Sequence, residues 1–546
     1  MDVPPPDQPP SPRQDVILSD LPEELLTLIF THVFVSAAAI PVDAVPYPSP
    51  SSVDEELPLR TLVTTRSWAA AAGAAGSCRA LRAAFLDAVV ALEVHLVPDM
   101  HAADATPATV GVGVSLALLL GKLPALRVLT LYLDGVVEEW ARRAVCELLF
   151  GVLGQGFPPL LYLGVWADES PYNLVSGVLY GQPALRHVVV HSHNRAADPG
   201  LEEERAVALF RRLAPCLHSL DFGNLGDFLF RGSFEDVWPE FLERLPAFPN
   251  ARYMSFGDGG TKSEAVFAIL ARLFPALEAL NAGSIATDLA TADGAATLLR
   301  HFPALRQLDL TMAASMRPDC AVTPAFVGGL CRARAFRLLC LPPIIDEDEE
   351  ELDPTALHTA LTESATPPVR LRLDGHLSAS AVAGLVGGGL PGLLALHLTA
   401  VEGLSAAACL SLSRLVELRA LFLGSVDTER VVVDMAAASV LAPPALQRLS
   451  LHRMDLGVAG ATGVVTAFSL AAPQTLQELI LHDCAGEVEG ALAAAAGVRA
   501  LRRLVVAGHV EVGSRHATLV SIGEDCRESV ALLATRRPDL VFAEEL

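Results

Sequence analysis

Residues 304–310 read ALRQLDL, and this phrase, with apolar residues in the pattern L-x-x-L-x-L, recurs along the chain. Further copies are ALRVLTL at 125–131, ALRHVVV at 184–190, CLHSLDF at 216–222, LLALHL at 393–398, ALQRLSL at 445–451, TLQELIL at 475–481 and ALRRLVV at 500–506. A phrase that returns many times in one chain indicates a repeat architecture rather than a set of unrelated domains.

The first apolar residue of each copy serves as an anchor from which the period can be measured. Fourteen anchors between Leu126 and Leu501 give a mean spacing of about 29 residues. The anchors are Leu126, Leu160, Leu185, Leu217, Ala251, Leu277, Leu305, Phe336, Pro368, Leu393, Leu418, Leu446, Leu476 and Leu501. Nine of them have a proline two residues earlier, which suits an extended start because proline lacks an N–H and restricts φ.

The x-L-x-L part of the phrase predicts a strand, because alternate side chains of a strand point to one face. One such strand cannot bury its apolar row alone, but parallel copies stacked side by side form a continuous core. The segments between anchors have helical periodicity. In SEAVFAILARLF (263–274), Ala265, Ile269 and Leu273 share one face, and Val266 and Leu270 widen it. The predicted unit is therefore strand, turn, helix, turn.

This phrase and period resemble the leucine-rich repeat in its long, ribonuclease-inhibitor-like class, over residues 123–546. The resemblance implies an α/β leucine-rich-repeat solenoid shaped as a horseshoe, with parallel strands on the concave side and helices on the convex side. We assign residues 101–546 to this domain. An acidic run, with seven acidic residues in eight, lies within a loop predicted at about 345–354. Such runs are usually solvated loops rather than docking sites for a basic partner.

The N-terminal region begins with residues 1–15, which are rich in proline, lack an apolar period and are predicted to be a disordered tail. Order is expected from ILSDLPEELLTLIFTHVF (17–34), where Asp20 and Glu23 have capping-box spacing and Pro22 falls in the first turn. Apolar residues form two stripes on this helix, so it needs two surfaces to pack against.

The segment LPEELLTLIF (21–30) resembles the opening of an F-box. Residues 59–90, with Cys78-Arg79-Ala80-Leu81-Arg82, resemble its second part, and a Pro- and Ser-rich insert at about 40–58 is similar to F-box proteins of higher fungi. The resemblance implies a small all-α module at 16–100 that binds a Skp-family adaptor and, through it, a cullin. The implied adaptor-binding residues are Leu21, Pro22, Leu25, Ile29, Cys78 and Leu81. An alternative is that the N-terminal helices only cap the solenoid, since open repeat ends need caps.

Composition and motifs exclude several other functions. The net charge of −24 argues against nucleic acid as a partner, because phosphate binding depends on clustered Lys and Arg. Two stretches without charged residues are broken by glycine and proline, so no membrane-spanning helix is predicted despite 52% hydrophobic residues. HExxH, GxSxG and P-loop motifs are absent, and His191-Ser192-His193 lacks a third metal ligand. We predict no enzyme activity, no cofactor and no metal.

The remaining hypothesis is recognition of a protein substrate on the exposed positions of the strands. The candidate contact residues are Tyr132, Trp166, His191, Asp221, Tyr253, Asn281, Asp309, Arg372, His397, Phe422, His452 and His482. The predicted function is the substrate-recognition subunit of a cullin-RING ubiquitin ligase of the Skp-cullin-F-box type. The alternative is a leucine-rich-repeat protein-interaction scaffold. The lack of a secretory signal and nine cysteines without regular spacing favour a cytoplasmic and/or nuclear location.

Overall fold

The computed structural model describes the chain in segments that follow the repeats. These segments are 62–63, 91–95, 123–132, 160–167, 184–192, 199–221, 234–255, 261–311, 322–342, 354–362, 368–374, 377–399, 401, 403–404, 406–424, 431–433, 443–452, 454–455, 475–482, 500–501, 503–507 and 541–543. The chain divides into two compact units. One comprises residues 1–164 with 177–184, and the other comprises residues 165–176 with 185–546.

The first unit contains three parallel strands that pair in sequence order. They are β1 (Leu62–Val63), β2 (Ala91–His95) and β3 (Val128–Tyr132). Leu62 pairs with Ala91, and Leu92 pairs with Leu129. At β4 (Tyr162–Ala167), the N–H groups of Leu161 and Tyr162 donate to the carbonyl of Arg127 at 2.8 and 3.1 Å.

Strands β1 and β2 correct the prediction that residues 16–100 are all helical. In VVALEVH (89–95), Leu92 and Val94 alternate with polar residues, and Leu92 is level with the second leucine of the first repeat. The period-two pattern gains a paired backbone beside β3, so it forms a strand. The predicted disordered tail, the insert, the acidic loop up to residue 353 and all six adaptor-binding residues lie outside the described residues.

In the second unit, thirteen of the described strands form one parallel sheet. Their bounds are β5 (His187–Ser192), β6 (Ser219–Asp221), β7 (Tyr253–Ser255), β9 (Ala279–Asn281), β11 (Gln307–Asp309), β12 (Leu338–Leu341), β13 (Arg370–Leu373), β14 (Ala395–Leu398), β16 (Ala420–Gly424), β18 (Arg448–His452), β20 (Glu478–His482), β21 (Arg503–Ala507) and β22 (Val541–Ala543). Two small parallel sheets accompany this sheet. One pairs β8 (Thr261–Lys262) with β10 (Ser284–Ile285). The other joins β15 (Gly403–Leu404), β17 (Val431–Val433) and β19 (Met454–Asp455).

The strand register confirms the anchors, including the three that depart from leucine. From β5 to β21, the residue three positions after each anchor pairs with its counterpart in the next strand, so that Met254 is level with Leu280, and Leu339 with Leu308 and Leu371. Ala251 and Phe336 are themselves buried. A fully buried leucine contributes roughly 1.5–3 kcal/mol relative to an exposed one, so the repeated row is the main source of core stability.

Turns with exposed prolines lead into the strands, and backbone hydrogen bonds link each strand start to the previous one. The Glu278 N–H donates to the Arg252 carbonyl at 2.7 Å, and the Arg306 N–H donates to the Glu278 carbonyl at 2.7 Å. Pro275 and Pro303, in the turns before these strands, are exposed. Proline therefore occupies positions where its missing N–H removes no sheet hydrogen bond.

Helices connect most strands of the second unit. They are α1 (Pro199–Leu213), α2 (Phe234–Glu243), α3 (Glu264–Leu273), α4 (Ala292–His301), α5 (Pro324–Ala333), α6 (Pro354–Thr362), α7 (Ala379–Val386) and α8 (Ala406–Ser413). Side-chain caps explain several of their starts. Thr291, Thr323 and Ser378 each accept a hydrogen bond from a backbone N–H in the first turn, at 3.2 Å.

The buried face of α3 differs from the predicted one. Val266, Phe267, Leu270 and Leu273 are buried, whereas Ala265 is exposed and Ile269 is half-buried. The Phe267 ring packs edge-on against Phe302 with centroids 5.9 Å apart. Burying this large ring rotates the helix by about one position relative to the aliphatic stripe, because aromatic side chains contribute most to core burial.

One strand and, in most repeats, one helix follow each other through the second unit, which is a leucine-rich-repeat solenoid as the sequence predicts. Among the described cysteines, Cys331, Cys340 and Cys409 are buried and Cys216 is half-buried, and none forms a disulfide. No helix in the described segments is long and apolar enough to cross a bilayer.

Candidate functional site

The predicted contact residues fall into three rows on the sheet, defined by strand register. The middle row contains Asp221, Asn281, Asp309, Arg372, His397 and Phe422, which lie level with one another on paired strands. Ser255 and Cys340 occupy the same row on the two intervening strands, β7 and β12. His452 and His482 lie level with each other, two residues further along their strands than the middle row. Tyr253 lies two residues before the middle row, level with Ser219. The sequence prediction had combined these three levels into one surface.

Three predicted contact residues lie on strands whose side chains are not described at those positions. Tyr132 is the last residue of β3 in the first unit, while Trp166 and His191 lie near the ends of β4 and β5. His482 is the last residue of β20, and only its register is described.

Tyr253, Asn281 and Asp309 are buried rather than exposed, with relative exposures of 8%, 1% and 3%. Asp309 is turned toward its own chain, where the Thr311 N–H and hydroxyl donate to Oδ1 at 2.9 and 2.6 Å. Period two places these residues on the noncore face, but the chain that follows the strand binds two of them, because the Gly283 N–H also donates to Asn281 Oδ1 at 3.2 Å. Asp221, Arg372, His397, Phe422 and His452 remain half-buried.

Arg372 is held in one orientation by a carboxylate that sequence reasoning missed. Its Nε and one terminal nitrogen donate to the two oxygens of Asp374 at 3.0 Å each, and the Thr399 hydroxyl donates to Asp374 Oδ1 at 2.7 Å. Burial lowers the pKa of Arg372, but the charge of Asp374 outweighs it and the pKa is raised overall. The signal was available, because Asp374 follows Arg372 by two residues and period two puts both on one face.

Next to Arg372, three rings from successive strands pack against each other in tilted orientations, with interplanar angles of 37° and 40°. The ring centroids of His397 and Phe422 are 3.6 Å apart, and those of Phe422 and His452 are 4.4 Å apart. His452 Nε2 also lies 2.9 Å from the Ser450 hydroxyl. Gly424 lies level with His452, where a side-chain Cβ would come within 2.9 Å of the His452 Cβ, so glycine gives these rings room.

His397 is neutral at physiological pH. Burial, together with the charges of Arg372 and His452, holds the pKa of His397 well below its ordinary value of 6.5. The neutral His397 ring and the Phe422 ring therefore present an aromatic surface beside the guanidinium of Arg372. At the far end, Arg448 forms an ion pair with Glu478 on the next strand. We call Arg372, His397, Phe422 and His452 the aromatic face.

The middle row also contains a buried carboxyl group with one unsatisfied oxygen. Asp309 Oδ2 has no hydrogen-bond partner among the described residues, and burial raises the pKa of Asp309 above 3.8 despite the hydrogen bonds from Thr311. Cys340, level with Asp309 on the next strand, is buried as well, and burial and the Asp309 charge raise the pKa of its thiol well above 9.0. A thiol held protonated in this way is a poor nucleophile.

Replacing Asp309 by asparagine should reduce the pH dependence of stability. Because the folded pKa is raised, the stability from this group is full below the unfolded pKa near 3.8 and is lost as pH rises through the folded pKa. The asparagine side chain carries no charge, so the unfolding free energy of the variant relative to wild type should rise by about 1 kcal/mol or more between pH 4 and pH 8. Urea denaturation across this pH range measures it.

Asp374→Asn is the matched control, because it makes the same substitution beside β13, two strands along the sheet from β11, but removes the charge paired with Arg372. It should lower stability at pH 8, since a half-buried guanidinium then loses its carboxylate. A parallel pH profile for Asp309→Asn and wild type would contradict the buried, raised-pKa assignment.

Among the described residues, no group of three or more His, Cys, Asp and Glu side chains could hold a metal ion. The aromatic face has ring surfaces and hydrogen-bonding groups that another molecule could contact. Its titratable side chains already contact other groups of the chain, as Arg372 does with Asp374 and His452 with Ser450.

Comparisons with known proteins give fold-level likeness only. No protein-family model matches the chain, and no curated protein matches it. Among solved structures, the complex of Rad7 and Elc1 in yeast is 12% identical with a TM-score of 0.34, covering 96% of this chain and 92% of that chain. An internalin, InlF, from Listeria monocytogenes is 14% identical with a TM-score of 0.27, covering 66% and 76% respectively. The mouse RP105/MD-1 complex is 14% identical with a TM-score of 0.30, covering 77% and 67%.

Proposed function

We propose that this chain is a substrate-recognition subunit of a cullin-RING ubiquitin ligase that holds a protein substrate on its leucine-rich repeats. The observation that carries the binding part is the aromatic face, where three rings in mutual contact and an arginine held by Asp374 lie half-exposed on consecutive strands. Aromatic and arginine side chains are the residue types that most often dominate protein–protein binding energy.

The contact chemistry of this face favours a protein partner. Phe422, with its two histidine neighbours, offers flat apolar area that loses little conformational entropy on binding. Arg372 is already oriented by Asp374 and Thr399, so its remaining donors can meet a partner without a further ordering cost. A partner side chain that is apolar or aromatic, next to a hydrogen-bond acceptor, fits this arrangement.

The link to a ligase rests on the resemblance of residues 21–30 and 59–90 to an F-box. In this proposal, Leu21, Pro22, Leu25 and Ile29 contact a Skp-family adaptor, with Cys78 and Leu81 supporting them, and the adaptor recruits the cullin. The chain itself makes and breaks no bonds. It raises the effective concentration of substrate lysines near the ubiquitin-charged enzyme by holding both in one assembly.

A scaffold without a ligase connection is the second candidate. Strands β1 and β2 favour it, because they pair in register with β3 and so extend the repeat sheet into the segment assigned to the F-box-like module. A segment that continues the sheet can serve as the cap that an open repeat end requires. Capping and adaptor binding are compatible, so the experiment must measure adaptor binding directly.

Two orthogonal variants test the proposal by affinity purification and mass spectrometry, with purified adaptor in a parallel pull-down. Leu21→Asp with Ile29→Asp should lower adaptor binding at least about a hundredfold while leaving other partners, because buried charge in an apolar interface costs several kcal/mol. Phe422→Ala should lose the substrate and keep the adaptor.

Matched controls accompany both variants. Thr27→Asp introduces a single aspartate at a polar position between the apolar stripes of the first segment, and Val416→Ala truncates an apolar residue that is 63% exposed outside the strands. Both should behave as wild type. Equal adaptor binding by wild type and the Leu21/Ile29 variant would refute the ligase assignment, and insolubility of that variant alone would favour the cap.

A further inference from the structure

A row of exposed arginines follows the edge of the second unit's sheet where the strands begin. Arg306, Arg337 and Arg370 lie at the starts of the consecutive strands β11, β12 and β13, and Arg419 lies at the start of β16. Arg252, at the start of β7, extends the row in the other direction and its side chain is 63% exposed. We call these five residues the arginine row.

The backbone of the row is held rigidly by the sheet. The Arg337 N–H donates to the Arg306 carbonyl at 2.8 Å, the Arg370 N–H donates to the Arg337 carbonyl at 3.0 Å, and the Gln447 N–H donates to the Arg419 carbonyl at 2.7 Å. Neighbouring strands lie about 4.8 Å apart, so the four strand steps from Arg306 to Arg419 span about 19 Å. Arg306, Arg337 and Arg419 lie at the same level of the sheet, Arg370 lies one residue further along its strand, and Glu278 occupies this level on β9 between Arg252 and Arg306.

Little of this charge is neutralised within the chain. Arg252 lies 3.6 Å from Glu278, whereas Arg306, Arg337, Arg370 and Arg419 form no ion pair with any part of the chain that the structure describes. Glu417, exposed two residues before Arg419, is the acidic side chain nearest to that end in sequence. Four guanidinium groups therefore keep their donors available to a partner.

The direction of the helices places basic and acidic residues at opposite edges of the sheet in part of the second unit. Helices run opposite to the strands, so helix ends lie at the same edge as strand starts, and Arg334, the residue that follows α5, donates to the carbonyls of Phe302 and Leu305 at 3.3 and 3.2 Å. In α3 and α4, basic residues occupy the last turns at this edge and acidic residues occupy the first turns at the other, namely Arg272 and Arg300 against Glu264 and Asp293, whereas α2 ends with Glu243. Each placement also suits the helix dipole. An acidic chain with a net charge of −24 thus presents a basic edge.

We propose that the arginine row is a docking site for an acidic, extended peptide segment of a partner protein. Arginine pairs with carboxylates through two parallel hydrogen bonds, and the row offers several guanidinium groups along one edge of the sheet for such pairs. About six residues of extended peptide match the 19 Å between Arg306 and Arg419. The net negative charge of the chain does not prevent this, because salt screens charges beyond about 8 Å at physiological ionic strength.

A protein segment fits the row better than nucleic acid does. The five arginines occupy a narrow strip along one edge of the sheet, and the chain as a whole is strongly acidic, whereas nucleic-acid sites need a broader basic surface. This site is separate from the aromatic face and from the F-box-like segment, so it stands whether or not the ligase proposal does.

Fluorescence anisotropy with the full chain tests the site. The probe is a labelled decapeptide of alternating Glu and Ala, compared with the same peptide carrying Gln in place of Glu and with a labelled single-stranded DNA of ten nucleotides. The Glu peptide should bind at least about tenfold more tightly than the Gln peptide, and its affinity should fall as salt increases. Arg337→Gln with Arg370→Gln should weaken it about fivefold.

The matched control is Arg211→Gln with Arg212→Gln, which removes the same charge from exposed last-turn positions of α1, three strands away from β11, and should weaken binding less than about twofold. Arg337→Lys with Arg370→Lys keeps the charge and should retain at least part of the affinity. Equal binding of the Glu and Gln peptides, equal weakening by the control pair, or tighter binding of DNA than of the Glu peptide would each overturn the proposal.

Discussion

Leu339→Ala is expected to lower the free energy of unfolding by about 3 kcal/mol, whereas Leu338→Ala should lower it by about 1 kcal/mol or less. These two leucines are adjacent in β12 and differ only in the face to which they point. Leu339 is completely buried in the row that includes Leu308 and Leu371, and Leu338 is half-buried on the opposite face. Truncating the buried side chain removes apolar contacts and leaves a cavity among packed neighbours.

Urea denaturation followed by circular dichroism measures both variants, and amide hydrogen exchange shows where structure is lost. Because each repeat contacts mainly its neighbours, exchange should increase first in β11, β12 and β13. Similar losses for the two variants would show that the register of β12, and with it the assignment of Phe336 as an anchor, is wrong.

Gly294→Ala is expected to lower the unfolding free energy by more than about 2 kcal/mol, although alanine favours helix by about 1 kcal/mol over glycine. Gly294 is buried in the first turn of α4, and a Cβ placed there would lie 2.0 Å from the Leu289 carbonyl oxygen. That oxygen belongs to the backbone of the short turn Thr287–Leu289, so the contact cannot be relieved by a side-chain rotation.

Ala296→Gly, at an exposed position in the same helix, serves as the control for Gly294→Ala. It should lower stability by about 1 kcal/mol, as propensity alone predicts. Thermal and urea unfolding of both variants distinguish the two effects. A stabilised Gly294→Ala variant would mean that propensity, and not the close approach of Leu289, decides this position.

The repeat phrase was sufficient to predict the strands and their register. The apolar residue three positions after each anchor, usually leucine but methionine after Ala251, must point to the core whatever the rest of the repeat contains, so even Ala251, Phe336 and Pro368 could be placed correctly. The strand at Ala91–His95 was missed because its copy lacks leucine at the anchor and follows a segment rich in alanine, where the helical pattern dominated.

The candidate site was predicted less completely than the core. Period two identified the noncore face, and Arg372, His397, Phe422 and His452 were on the predicted surface. The same pattern does not tell which positions of the noncore face are exposed. Asp309 is on that face but is buried, and its carboxylate accepts hydrogen bonds from Thr311. Asp374 and Thr399, which orient Arg372, come after the strands, where the repeat phrase carries no information.

The sequence by itself determined the repeat period, the strands and the side of each strand that faces the core, because these follow from local alternation and from the number of apolar residues that must be buried. The tertiary structure decided which side chains from different repeats meet. His397, Phe422 and His452 lie 25 or more residues apart along the chain, and so do the arginines at the strand starts. Their neighbourhood exists only when parallel strands stack in register, since that stacking converts equal positions in successive repeats into one continuous row.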